Sequence, residues 1–181
     1  MKHALRILAA LALLGFGMAA YTFGMARIAS GTPPQMAAAE DQADLIRVSK
    51  SNRELTLLRD DIEIARYPIS LGAAPEGHKA QEGDERTPEG RYTIDWRNAN
   101  SVAHLSLHIS YPNADDTARA KAAGQDPGGN IMIHGLPNGW GLLGRLHTAW
   151  DWTNGCIAVT NAQMQDIWSR VPNGTPIVIE G

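Results

Sequence analysis

"WTNGCIAVTNAQMQDIWSRVPNGTPIVI", residues 152–179, changes period three times. After the polar "WTNG", Cys156–Val159 is apolar and short, the length of a strand rather than a helix. Thr160 and Gln163 then stand three apart, the spacing at which two side chains can each bond the other's backbone N–H at a helix start. Behind them Met164, Ile167, Trp168 and Val171 fall at i, i+3, i+4 and i+7, one apolar helical face. Pro172 and "NG" stop the helix, and Pro176–Glu180 alternates as a strand. A helix with a single apolar face between two strands has to dock on a sheet.

Upstream, period two prevails. Leu45–Ser49, Glu54–Arg59 and Ile62–Ser70 are separated by the turn signals "KSNR" and "DD", the pattern of a β-meander. Gly90–Trp96, His104–Ser110 and Asn130–Gly135 add three more expected strands. The other helical signal is Ala114–Gly124, which ends on a glycine. The expected class is therefore mainly β, a sandwich or partly closed barrel with one helix docked near the C-terminus. Ala74–Gly90 and Gly135–Gly155 fit neither period and are rich in Gly, Pro and Asn. Long irregular loops in a compact domain usually carry function.

The length of 181 residues suits one domain with an appendage, and 44% hydrophobic and 19% charged residues are ordinary globular values. The formal net charge is −3 and no basic stripe interrupts the chain, which argues against a nucleic-acid partner. Residues 1–29 are a different material. Ile7–Ala26 carries no charge and lies between Lys2 and Arg6 on one side and Arg27 on the other. About 20 such residues suffice to cross a bilayer, and signal-peptide apolar regions are usually about 7–15 long. An uncleaved membrane anchor through residues 7–26, with the rest of the chain outside the cytoplasm, is the expectation. The alternative is a signal segment cut near "MAAAE", Met36–Glu40. Residues 30–43 read as a Pro/Ala-rich linker, and the working domain as 44–181. Three of the 16 basic and two of the 19 acidic side chains precede Asp44, leaving that domain near −4.

The chain has one cysteine, Cys156. Exported proteins usually pair their cysteines as disulfides, so a lone thiol in that setting is either a buried hydrophobe or a reactive group. Gly155 before it permits a sharp turn, and a strand follows. His134 closes another expected strand and precedes Gly135. A thiol needs a base or a lowered pKa to attack near neutral pH, and histidine is the usual partner.

Several motifs in order now point further. His134-Gly135, Thr153-Asn154-Gly155-Cys156, Asn161 and Gly174-Thr175-Pro176 closely resemble the catalytic core of the L,D-transpeptidases, the YkuD-type domains of bacterial cell-wall enzymes. "RTPEGRYTI", Arg86–Ile94, is similar to an upstream segment of the same family. The resemblance covers about residues 44–180. It departs at Asn154, where histidine is frequent, and at Ala158, where arginine is common, so this is a divergent branch.

The resemblance implies a chemistry. Cys156 attacks the carbonyl of the third residue of a peptidoglycan stem tetrapeptide and expels D-alanine. His134 takes and returns the proton, with the Gly135 carbonyl as third element. The N–H groups of Gly155 and Cys156 are the oxyanion candidates. The thioester passes to an amine, cross-linking stems or anchoring a lipoprotein, and no metal or organic cofactor is required. The alternatives are a cysteine hydrolase of the same fold, an L,D-carboxypeptidase or amidase, and a non-catalytic peptidoglycan-binding module.

Thr153, Asn154, His108, Arg86 and Lys79 are the substrate-binding candidates, with Arg145 considered beside them. Charges on Gly-rich loops are as a rule solvated, and His147 in the second loop is expected to be solvated too. His104 and His108, four apart on an expected strand, would share a face. With His134 and Cys156 they could hold zinc, although no Cys-x-x-Cys or His-Glu-x-x-His spacing supports it. Trp140, Trp150 and Trp152 either wall the cleft or pack the core. "EGDER", Glu82–Arg86, has carboxylates with nothing to fix them across a sugar.

Overall fold

Alternation builds the first strands. In β1 (Leu45–Ser49), Ile46 and Val48 are fully buried and Arg47 between them is exposed. They meet Leu57 and Leu55 of β2 (Glu54–Arg59) across an antiparallel ladder, and β3 (Ile62–Pro68) continues the meander. The remaining strands are β4 (Gly90–Asn98), β5 (Ser106–Ile109), β6 (Met132–His134), β7 (Ile157–Ala158) and β8 (Pro176–Glu180). The computed structural model describes residues 2–181.

All eight strands form one mixed sheet in the order β3-β2-β1-β8-β4-β5-β6-β7. β8 inserts between β1 and β4, placing Ile177 and Ile179 beside Ile46 and Val48 in a parallel pair. The sheet curls until its two edges meet: Ser70, just past β3, exchanges backbone bonds with Ala158 of β7 at 3.0 and 2.8 Å. Gly72 bridges Thr153 in the same way. The result is a half-barrel, so of the two expected architectures the partly closed barrel is the one adopted.

Among the described residues three α-helices accompany the sheet: α1 (Lys2–Ile28), α2 (Ala114–Ala122) and α3 (Asn161–Arg170). The reciprocal cap of α3 is present, with Gln163 N–H donating to Thr160 Oγ1 at 3.2 Å and Thr160 N–H to Gln163 Oε1 at 2.9 Å. Its expected face is the buried one: Met164, Ile167 and Val171 are sealed in the core and Trp168 nearly so. α2 has an equivalent cap from Asn113 and Asp116, which the sequence reading did not anticipate.

Three expectations need correction. His104 is not in a strand: its backbone is left-handed (φ 64°), β5 starts at Ser106, and His104 and His108 do not share a sheet face. His104 Nε2 bonds Gln165 of α3 and His108 Nδ1 bonds Asp95, so the set considered for zinc is not gathered. Residues 30–43 are also no free linker. Gly31 N–H bonds the His104 carbonyl, and Ala37 and Ala43 N–H bond the carbonyls of Ser169 and Arg170, each at 2.8 Å. The segment is a strap along α3.

The last turns of α1 touch the domain. Tyr21 donates to the Gly139 carbonyl at 3.0 Å, and Trp140 Nε1 donates to Thr22 Oγ1 at 2.9 Å. Elsewhere α1 is exposed on all sides, and its mean hydropathy of 1.8 over its most apolar window makes it long and apolar enough to cross a membrane.

Candidate active site

Cys156 and His134 come together through the parallel pair β6–β7. Ile133 faces Ile157 and His134 faces Ala158 in register. Cys156 immediately precedes β7, and its side chain falls on the same cavity wall as Met132 and His134. The turn that delivers it depends on glycine. Gly155 has φ 115°, and a Cβ there would lie 2.6 Å from the Arg86 carbonyl. Gly72 crosses the same spot, where a Cβ would lie 2.0 Å from the Glu85 carbonyl. Three backbone segments thus cross beneath the thiol at a separation only glycine allows.

The imidazole is oriented. His134 Nδ1 lies 2.6 Å from the Gly135 carbonyl, which can only accept, so Nδ1 carries the proton and Nε2 is left with a lone pair. Asn161 Oδ1 accepts the Leu136 N–H at 2.8 Å and packs against Gly135, fixing the His-Gly turn to the start of α3. Trp152 stands edge-on to the His134 ring at 5.8 Å between centroids.

The thiol accepts the Met132 N–H at 3.4 Å and donates to the Asn130 carbonyl at 3.6 Å. Burial pushes the Cys156 thiol up, and the Met132 N–H and the Lys79 charge pull only partly against it. Burial pulls the His134 imidazole down, against the Gly135 bond. Both shifts favour a neutral thiol beside a neutral imidazole at neutral pH. That pairing suits proton transfer during attack rather than a preformed ion pair.

Two cavities meet at Cys156. One, of about 430 Å³, is lined by Ser106, Met132, His134, Trp152 and Thr153. The other, of about 510 Å³, is lined by Lys79, Glu82, Glu85 and Asn130. Asn154 and Cys156 border both, and Asn154 is exposed.

The other candidates divide. Thr153 is buried and donates to the Cys156 carbonyl at 2.7 Å, while its oxygen accepts the Gly155 N–H at 3.2 Å. It stiffens the turn and occupies one of the two expected oxyanion donors. Lys79 is buried, contrary to the general expectation for loop charges. Its ammonium bonds Asp84 at 2.8 Å and the Gln81 carbonyl at 3.0 Å, on the wall of the second cavity. Arg86 is exposed, and its carbonyl is what crosses Gly155. His108 is stacked on Trp96 at 5.0 Å and bonds Asp95, away from both cavities at the thiol. Arg145 is exposed, as expected.

His147 is a clear correction. It is buried, with Nδ1 3.1 Å from Ser70 Oγ, and it too stands edge-on to Trp152, at 6.4 Å between centroids. Asp151, which sequence reasoning missed, accepts the Leu71 N–H at 2.8 Å and pairs with Arg53 at 2.8 Å. A charge directly before the "WTNGC" turn was the available signal.

Residues 43–179 match the L,D-transpeptidase catalytic domain (YkuD), and the chain belongs to that family. Solved structures agree on the fold. The helical cell shape determining protein Pgp2 of Campylobacter jejuni is 24% identical, with a TM-score of 0.57 over 75% of this chain and 46% of that one. Bd1075 of Bdellovibrio bacteriovorus is 25% identical, with a TM-score of 0.53 over 81% and 51%. An L,D-transpeptidase of Mycobacterium smegmatis, at 13% identity, gives 0.50 over 76% and 58%. The chain spans about half the length of these relatives. No curated protein matches it.

Proposed function

We propose that this domain is a peptidoglycan L,D-transpeptidase that works through a thioester on Cys156, outside the cytoplasm, with α1 as its membrane anchor. The observation that carries the reading is the dyad: Cys156 and His134 share a cavity wall, and the Gly135 carbonyl holds the imidazole in the tautomer that leaves Nε2 basic.

In the first step Cys156 Sγ attacks the carbonyl of the third stem residue as His134 Nε2 accepts the thiol proton. The C–S bond forms, and the tetrahedral oxyanion takes the Cys156 N–H, since Thr153 already engages the Gly155 N–H. The C–N bond to D-alanine then breaks, and His134 returns the proton to the leaving amine. In the second step an acceptor amine gives its proton to His134 and attacks the thioester, and the thiol is released. Two cavities meeting at one thiol support transfer over hydrolysis, because donor and acceptor can approach from different sides. Lys79 at the second cavity offers its charge to a carboxylate on that side.

Incubating the chain with disaccharide-tetrapeptide and following products and intact protein by mass spectrometry tests this. Loss of D-alanine, a thioester mass on Cys156 and a dimeric product are expected. A tripeptide without dimer makes the enzyme a carboxypeptidase. Unchanged turnover in a folded Cys156→Ala variant removes the reading.

A further inference from the structure

The second loop contains two short 3-10 turns over Gly141–Ala149, joined by a kink at Gly144, and its side chains divide between buried and exposed. His147 is buried and Leu143 half-buried, whereas Leu142, Leu146 and Trp150 are exposed. Leu142 is fully exposed (101%), Leu146 68% and Trp150 57%. Other large exposed apolar side chains of the domain, such as Ile62, Trp96 and Val102, are scattered singly along the chain. Three within nine residues call for a partner.

The neighbouring element says which. α1 lies against this loop through Tyr21 and Thr22, its Tyr21 ring edge-on to Trp140 at 5.8 Å. Thr22 also closes an apolar hollow of about 220 Å³ whose other walls include Leu136, Trp140, Leu143 and Trp150. At 1.5 Å of rise per residue, Tyr21 stands roughly 21 Å along the charge-free run that starts at Ile7, within its outer third. In a hydrocarbon core of about 30 Å, that lies about 9 Å below the outer headgroups, among the acyl chains of the outer leaflet. The loop joined to α1 at that level would present Leu142, Leu146 and Trp150 to lipid instead of water. Its charge agrees: between Gly135 and Trp150 the one charged side chain other than histidine is Arg145, exposed and long enough to reach a phosphate.

We propose that Leu142, Leu146 and Trp150 are a membrane-contact surface, which together with α1 seats the domain on the outer leaflet, an inference that rests on reading α1 as an anchor. Acyl-chain carbons fill the hollow beside Thr22. Pro137 and Trp152 line both that hollow and the His134 side of the thiol's cleft, so lipid contact sets how the cleft is turned relative to the bilayer.

The test uses the full chain carrying Cys156→Ala, reconstituted in phosphatidylcholine–phosphatidylglycerol vesicles, with one nitroxide label at a time. Sites are Leu142→Cys, Leu13→Cys within α1, and the exposed Asp115→Cys on α2 as the aqueous reference. Collision rates with oxygen and with a water-soluble nickel chelate report the surroundings of each label. The expected result is an oxygen-to-nickel ratio several-fold above the reference at both 13 and 142. A high ratio at 13 with a reference-like value at 142 overturns the contact surface and leaves the anchor standing. A reference-like value at 13 overturns both. Shielding of 142 from both agents, with dipolar broadening between labels, replaces the bilayer with a second copy of the chain and overturns the proposal. Leu142 makes no buried contact, so the substitution leaves folding intact.

Discussion

The two long loops bordering Cys156 look alike as sequence and are held in opposite ways. The loop over residues 74–89 closes on charge. Lys79 and Asp84 pair inside it, and Lys50 reaches in to bond the Thr87 carbonyl at 3.0 Å and Glu89 at 2.8 Å. The loop over residues 136–155 closes on apolar contact, with Leu136 and His147 buried, Trp152 edge-on to two imidazoles and α1 alongside. One loop thus brings a fixed cation to the thiol and the other a dry aromatic wall. Composition does not separate these roles. What separates them is whether the loop's charges find partners close in sequence, as Lys79 and Asp84 do five residues apart.

The largest effect should come from the residues both loops serve. Cys156→Ala is expected to abolish D-alanine release, and His134→Ala to lower it by on the order of 10²–10⁴-fold. Amide exchange in both loops should stay unchanged. If either variant also loosens a loop, the loops are held by the dyad rather than for it.

Next comes the charged loop. Asp84→Ala leaves the Lys79 ammonium buried without its carboxylate, and breaking such a pair from one side costs about 3–5 kcal/mol. Urea unfolding should show it, and a loss below about 1 kcal/mol would mean that the pair behaves as a surface one. On the apolar side Leu136→Ala should cost about 2–5 kcal/mol. It should also weaken the contact between α1 and the loop, read as faster exchange around Gly139.

Acid should separate the two by window. Burial works to raise the Asp84 carboxyl, but bonds from Lys79 and from the N–H groups of Ala80, Gln81 and Arg86 outweigh it and hold the carboxyl below its usual range. Its stabilisation is present above about pH 4 and is lost as pH falls through the lower folded value. Burial, and then the neighbouring His134, pull the His147 imidazole down. The unfolded chain therefore takes up that proton first, and stability starts to fall once pH drops below about 6.5. Exchange measured from pH 7 to 3 should show the 136–155 loop loosening first. The opposite order would undo the comparison. The smallest effect belongs to Arg145→Ala, expected within about 0.5 kcal/mol in melting experiments because the side chain is exposed.

How far the sequence carried is best seen element by element. β1, β2 and β8 were legible to the residue, because burial alternates along β1 and β8, and along β2 as far as the bulge at Leu57/Leu58. α3 was legible from its cap and its single face. The thiol and its histidine were legible as motif. The closing of the sheet by Ser70 and Gly72 was not, since two isolated bridges leave no periodic trace. Nor were His104 and His147, whose fates hang on single partners far along the chain, Gln165 and Ser70. The burial of Lys79 was not legible, because a loop charge is usually solvated and only the fold reveals that Asp84 follows it inward.

If the domain is the anchored transpeptidase proposed above, one feature of the chain's middle ground decides how its thiol meets peptidoglycan. A free tether over residues 30–43 could pay out roughly 45–50 Å of line, letting the thiol roam a deep shell of wall. Bound at Gly31, Ala37 and Ala43, that stretch is a splint instead of a leash. Domain and helix turn as one arm. The thiol keeps a fixed stand-off from α1, and what the proposed transpeptidase could reach would be decided by where the strands of the wall pass, one altitude at a time.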